Sequence, residues 1–263
     1  MTDGLSATEK WIRRFHPTPQ ARIRLACFPH AGGSASFFFN TSRALSPAID
    51  VFAVQYPGRM DRHTEPFVDD MSRLADQVTD SLLPFTDRPL ALFGHSMGAT
   101  LSFEVARRLE RRGVSPRALV VSGRPAPHRL RERTLHLGTD EQLVAEITRL
   151  NGTLPSFLDD EDLLHMWLPV IRNDYKIIET YRYEPGPPLN VPLFAHVGLA
   201  DPKAKVEDVR VWAEHTTGPF ELHTHPGGHF YLAAPDSHLV PHLSGLTAAV
   251  PVLADPLGTA GDR

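Results

Sequence analysis

Pro89-Leu90-Ala91-Leu92-Phe93-Gly94-His95-Ser96-Met97-Gly98, continuing into Ala99 to Arg112, decides how this chain folds. The first five residues are a short apolar run of buried-strand type. From Ala99 to Arg112 the apolar residues recur at helical spacing, and Gly113 follows as a C-terminal cap. Between the two lies the pattern G-x-S-x-G. Strand, sharp turn and helix are the setting in which that pattern forms a nucleophile elbow. Glycines at 94 and 98 remove side chains that would collide where strand meets helix. The turn lifts the Ser96 hydroxyl above the sheet, and the helix N-terminus aims free N–H groups at the place where an oxyanion forms.

The same alternation extends outward. Strand candidates are Arg22 to Phe28, Asp50 to Tyr56, Pro89 to Phe93, Ala118 to Ser122, Pro192 to Val197 and Phe220 to Thr224. Helical spacing marks Met71 to Leu83, Ala99 to Arg112 and Val206 to His215. Strands separated by helices imply βαβ units and a mainly parallel central sheet flanked by helices. One interval lacks strands. There Asp140 to Leu150, Asp159 to Met166 and Leu168 to Tyr183 read as helices, with Thr139 as an N-cap. A helical insertion between two sheet strands is a natural lid. The expected division is a core of residues 1–128 and 184–250, a lid insertion of 129–183 and a frayed tail of 251–263. Leu150, Leu154, Phe157, Trp167 and Ile171 supply the lid's apolar side.

Bulk properties exclude several classes. The 263 residues are 41% hydrophobic and 22% charged, the make-up of a globular protein. A net charge of −4 and the lack of a basic run argue against nucleic acid as partner. The single cysteine, Cys27, permits no internal disulfide and sits in an apolar run as a small buried residue. Met1 to Arg14 lacks a long apolar run, so secretion is not expected, and no stretch approaches the roughly 20 apolar residues of a membrane span. No membrane is an expected partner, and the expected compartment is cytoplasmic.

Serine needs a base, and the base needs an orienting acid. On elbow-type sheets the chain order is Ser, acid, His. Asp201 follows the apolar run Pro192 to Leu199, and His229 follows Phe220 to Thr224 and the turn Pro226-Gly227-Gly228. Both fall at strand C-terminal ends, on the sheet edge that carries Ser96. No Asp or Glu occurs between Leu119 and Pro127, so the other common position for the acid is empty. Glu207 and Asp208 read as solvated helix residues. Of the 14 histidines, His95 is expected to pack locally, and His215, His238 and His242 to lie on helical or loop surface. For the oxyanion, one donor is the N–H of Met97 and the second is the N–H of Ala31, in the glycine-containing loop Pro29-His30-Ala31-Gly32-Gly33.

Four stretches in this order carry a family resemblance: Phe28-Pro29-His30-Ala31-Gly32-Gly33-Ser34-Ala35, Gln55-Tyr56-Pro57-Gly58-Arg59, Gly94 to Ala99, and Gly227-Gly228-His229-Phe230-Tyr231-Leu232. From about Arg22 to Leu246 the chain resembles the discrete, type II thioesterases that accompany polyketide synthases and nonribosomal peptide synthetases. That resemblance implies an α/β-hydrolase fold with a helical lid. It implies hydrolysis of acyl groups from the phosphopantetheine thiol of acyl or peptidyl carrier proteins, clearing stalled or misprimed carriers. Ser96, Asp201 and His229 would be the catalytic residues, with no metal or organic cofactor. The chain departs from the family at the acid loop. There Val197-Gly198-Leu199-Ala200-Asp201-Pro202 replaces a more polar turn but keeps the Asp-Pro pair.

Arg59 and Arg62 are candidates to meet a phosphopantetheine phosphate or an acidic carrier surface; local ion pairs are the plainer alternative. Phe37, in the run Phe37-Phe38-Phe39, is a candidate acyl-chamber residue, with core packing the more ordinary reading. Rival classes are a general serine esterase or acyltransferase, a non-catalytic binding module, and a metallohydrolase using His223, His225 and His229. The last lacks a nearby carboxylate ligand. A macrocyclising synthase domain is less expected, because the sequence starts at Met1 with no adjoining carrier segment.

Overall fold

The computed structural model describes residues 10–129, 133–150, 161–234 and 239–246. Leu154, Phe157, His238 and the tail 251–263 lie outside the described residues. The elements are β1 (Ile12–Arg13), β2 (Ile23–Phe28), α1 (Phe39–Leu45), β3 (Ile49–Val54), α2 (Met71–Leu82), β4 (Leu90–His95) and α3 (Met97–Arg111). They continue with β5 (Ala118–Ser122), α4 (Asp140–Arg149), α5 (Glu161–Thr180), β6 (Leu193–Gly198), α6 (Val206–Arg210), β7 (Phe220–His225) and α7 (Leu239–Gly245). The described strands form one seven-stranded sheet of order β1-β3-β2-β4-β5-β6-β7. Only β1 runs antiparallel to its neighbour; the other pairings are parallel. This is the α/β-hydrolase arrangement.

Every residue of β2, β3, β4 and β5 is buried, as expected when helices cover both faces of a parallel sheet. One face packs on α2 and α3 through Leu74, Val78, Leu101, Val105 and Leu109. The other packs on α1 and α7 through Leu45, Leu239 and Leu243. The chain direction switches at β2, which pairs with β3 on one side and β4 on the other. Ligand sites of open α/β sheets form at such a switch, beyond the carboxyl ends of the strands. Phe28 is in register with Gly94, His95 with Ser122, and Gly198 with His225. The loops that follow these strands therefore gather at one edge.

Several boundaries differ from the periodicity. Helix α3 begins at Met97, because the helical turn starts directly after Ser96. The two expected helices after Asp159 are one, α5, running through Pro169. An internal proline costs a helix about 3 kcal/mol, and here buried Leu168, Val170, Ile171 and Tyr175 hold both sides of it. The expected Val206 to His215 helix is α6 followed by a 3₁₀ turn. Strand β1 and helices α1 and α7 have too few residues for their periodicity to register.

Two glycines set the spacing of the edge. A Cβ on Gly98 would stand 2.0 Å from Phe28 O, and one on Gly94 would stand 2.0 Å from Gly98 O. Backbone therefore packs on backbone where β2, β4 and α3 meet. Gly98→Ala is expected to lose about 3 kcal/mol or more in urea unfolding, the upper range for overpacking. Gly113→Ala is the comparison. It has φ of +77° but open space, and its cost is about 1–2 kcal/mol. Equal losses would show that the close approach is not limiting.

Candidate active site

Ser96 stands between β4 and α3 with φ 55° and ψ −116°. A non-glycine residue in such a conformation stores roughly 1–3 kcal/mol of strain. Its N–H donates to Ser122 O at 2.8 Å, which anchors the turn to β5. Its Oγ lies 3.0 Å from His229 Nε2, and His229 Nδ1 lies 2.8 Å from Asp201 Oδ2. His229 is 2% exposed and the Asp201 side chain is fully buried. The second carboxylate oxygen, Oδ1, accepts from Lys203 N at 2.8 Å and Ala204 N at 3.3 Å. Asp201 is thus fixed by its own turn and presents one oxygen to the imidazole. The structure brings all three sequence candidates together.

Met97 is the first residue of α3, so its N–H has no acceptor inside the helix. In the loop after β2, Gly32 N–H donates to Asp174 Oδ2 at 2.7 Å and Gly33 N–H to His30 O at 2.9 Å. The N–H groups of His30 and Ala31 make no hydrogen bond to the described residues.

Arg59 occupies a role the sequence did not reveal. Its guanidinium is buried and meets Asp174 twice, at 2.6 and 2.8 Å, while also donating to Gly33 O at 3.0 Å. Asp174, on α5, is 0% exposed. Trp167 Nε1 of the same helix donates to Gly32 O at 3.0 Å. Helix α5 and the loop at 29–33 are therefore clamped together through buried charge and backbone. The expectation of Arg59 as a carrier contact is corrected: this side chain is committed internally. Arg62 is likewise buried, bonded to Gln55 O at 2.7 Å and Glu65 Oε2 at 2.6 Å, with Trp11 stacked beneath it. Phe37 is partly buried, with ring contacts to His30 at 4.6 Å and Phe230 at 6.4 Å beside the triad histidine. Phe38 is core and Phe39 exposed.

A second serine–histidine pair lies behind the triad. His95 Nδ1 is 2.9 Å from Ser122 Oγ, which is 2.6 Å from Tyr231 Oη. Both His95 and Ser122 are 0% exposed, and the His95 Nε2 has no partner. Without a carboxylate or access, this pair supports the β4–β5 edge and does not meet a substrate. His215, expected on the surface, is buried against Phe103 and Trp212 and pairs with His128 at 2.8 Å. Glu207 is exposed, in keeping with its reading as a solvated helix residue, and Asp208 is partly buried. The metal set His223, His225 and His229 does not assemble, since His229 is bonded within the triad and His225 Nε2 pairs with His196.

Beside the Asp201 loop, a cavity of about 100 Å³ is lined by Arg124, Arg129, Arg133, Lys203, Lys205 and the acidic Glu179 and Asp208. Burial, then the charge of Arg133, lowers the pKa of Arg124 to about 10. Burial lowers that of Lys203 to about 8 despite its 2.9 Å pairing with Glu146. Five cations around one cleft were missed because they come from separate loops and never form a run.

The thioesterase-domain family matches residues 23–246. The chain belongs to the thioesterase family. This thioesterase is 49% identical over 224 residues to thioesterase PikA5 of Streptomyces venezuelae, covering 84% of its own length and 80% of the relative's. It is 48% identical over 232 residues to a probable cadicidin biosynthesis thioesterase of Streptomyces griseus, covering 88% of its own length. The chain spans 64% of that relative's length. Its fold superposes on the type II thioesterase BorB of the borrelidin biosynthetic cluster with a TM-score of 0.85 and 49% identity, over 90% of this chain and 98% of that one. Its place is thus with the type II thioesterases of polyketide and nonribosomal peptide pathways. Among the described residues, no helix of this thioesterase is long and apolar enough to cross a membrane.

Two expectations follow. Removing one partner of a buried ion pair costs about 3–5 kcal/mol. Asp174→Ala is therefore expected to lower unfolding stability by that amount, and an Arg59→Met/Asp174→Leu double variant to recover much of it. A loss below about 1 kcal/mol, the scale of exposed pairs, would mean the clamp is not buried in solution. The second concerns acid. Burial, then His229 and Arg59, lowers the His30 pKa from 6.5 to about 3. Burial, then His229 and His30, takes His95 well below 6.5. The unfolded chain then binds more protons below pH 6.5, so stability is full above that pH and falls as pH drops toward the folded values. Thermal midpoints should decline from pH 7 to pH 5, and His30→Phe should flatten part of that slope. A pH-independent midpoint would contradict neutral rings at His30 and His95.

Proposed function

We propose that this thioesterase hydrolyses acyl groups from the phosphopantetheine thiol of carrier proteins, with Ser96 as nucleophile. The observation that carries the reading is the unbroken series Ser96 Oγ, His229 and Asp201 at 3.0 and 2.8 Å. His229 Nε2 takes the Ser96 proton as Oγ attacks the thioester carbonyl. Asp201 holds Nδ1–H and stabilises the imidazolium that forms. The tetrahedral oxyanion is held by the N–H groups of Ala31 and Met97. On collapse the C–S bond breaks, and His229 passes its proton to the departing thiolate. Water then attacks the acyl-Ser96 ester with His229 as base, releasing the acid and restoring the serine.

The residues around the cleft support a carrier as the delivering partner. Arg129 and Lys205 are exposed on it, and cations there would meet either the phosphodiester of the arm or an acidic carrier surface. The helical insert of 129–183 is read as a lid over the acyl chamber. In support, its helices α4 and α5 share a hydrophobic cluster of Leu143, Ile147, Leu168, Ile171 and Tyr175, against which Ala31 packs. Clearing of stalled carriers is the role this arrangement serves, with general ester hydrolysis or transfer to another acceptor as rivals.

One experiment separates these. Acyl-carrier and the matching acyl thioester of a short free thiol are assayed with parent, Ser96→Ala, Asp201→Asn and Arg129→Glu/Lys205→Glu variants. Ser96→Ala should lose at least about a thousandfold on both substrates. Asp201→Asn should lower kcat by about four orders of magnitude, the scale seen when the histidine tautomer is wrong. The charge-reversed variant should lower kcat/KM on the carrier only, with a salt dependence the free thioester lacks. Near-normal rates in Ser96→Ala would overturn the mechanism; equal effects of charge reversal on both substrates would overturn the carrier reading.

A further inference from the structure

Three histidines outside the triad meet on the face of the sheet covered by α7. His196 and His223 are register partners on β6 and β7, with stacked rings 4.7 Å apart. His242 of α7 closes over both, its ring 4.6 Å from His196 and 4.5 Å from His223. One ring nitrogen of each lies within 4.8 Å of those of the other two. In all three rings Nε2 is buried without a hydrogen-bond partner. Buried polar atoms in folded proteins are overwhelmingly paired, so three unpaired at one spot need a common cause. A cation with vacant orbitals satisfies all three at once.

The surroundings are those of a ligand set. His196 Nδ1 shares a hydrogen bond with His225 Nε2 at 2.9 Å. With Nδ1–H donating there, His196 turns the lone pair of Nε2 into the cluster, the usual second contact of a metal-bound imidazole. The Glu221 Oε2 stands 3.2 Å from His223 Nε2 without the alignment of a hydrogen bond, and this side chain is largely exposed and free to turn. A cavity of about 260 Å³ opens at the same place, with Glu221, His242 and Phe194 in its wall.

We propose that His196, His223 and His242, with Glu221 as fourth ligand, bind a zinc-class divalent transition-metal ion that fastens α7 to the β6–β7 edge. Metal–nitrogen bonds of about 2.0–2.1 Å bring the three ring nitrogens closer together, a small rotation of each ring. Three imidazoles and one carboxylate suit zinc, cobalt, nickel or copper, and not magnesium or calcium. The ion would be structural: the triad histidine is not among its ligands, and the proposal does not depend on the acyl chemistry.

The test uses the full chain, free of any affinity tag and stripped with a chelator. Titration with Co²⁺ should give one equivalent of tetrahedral visible absorption, removed by Zn²⁺. Zn²⁺ should raise the thermal midpoint, and Mg²⁺ should leave it unchanged. His242→Gln and His223→Gln should each weaken zinc binding at least about 100-fold, as losing a ligand exceeds losing its outer-shell partner. His63→Gln, exposed, and His229→Gln, in the triad, should bind as the parent does. Thioester hydrolysis by His242→Gln and His223→Gln confirms that they fold. Absence of Co²⁺ binding, or binding that survives both ligand changes, or binding lost with His229→Gln, would overturn the proposal.

Discussion

The edge of the sheet is organised by a contact in which side chains have no room. Gly98 packs on Phe28 O and Gly94 on Gly98 O, each so closely that a Cβ would stand 2.0 Å away. That contact draws the end of β2 against the first turn of α3. It places the loop at 29–33 beside the N–H of Met97, and it forces Ser96 into its strained conformation at φ 55°. Strain at one residue is tolerable because the sheet beneath is buried on both faces and held in register across its parallel pairs. The rest follows from strand ends lying level: the turn after β6 delivers Asp201 and the loop after β7 delivers His229.

A second constraint ties the insert to this edge. Asp174 accepts from Arg59 twice and from Gly32 N–H. A buried ion pair is a weak source of net stability, since desolvation offsets much of the attraction, but losing one partner is costly. Its consequence here is geometric. Gly32 and Gly33 spend their polar groups on Asp174, Arg59, Trp167 and His30, which leaves the loop few alternative conformations. Helix α5 is thereby anchored to the loop at 29–33.

Much of this was legible in the chain because the signals were local. Alternating apolar runs disclosed the parallel sheet, and the strand-turn-helix setting of Gly94 to Gly98 disclosed the elbow. Asp201 and His229 were recoverable because each follows a strand directly. Arg59 was left between a carrier contact and a local ion pair, because its true partner, Asp174, is 115 positions away. Pro169 was no guide either, since tertiary contacts carry α5 through it. His196, His223 and His242 sit on two strands and a short helix, so only the register of β6 on β7 brings them together.

The central claim is that the acyl group passes through Ser96. Its most direct measurement mixes the enzyme with one equivalent of acyl-carrier, quenches with acid during the first turnover and locates added mass on digested peptides by mass spectrometry. The account predicts a transient acyl adduct on the peptide containing Ser96, decaying as free acid appears. Hydrolysis without any adduct, or an adduct on the peptide containing Ser122, would contradict it.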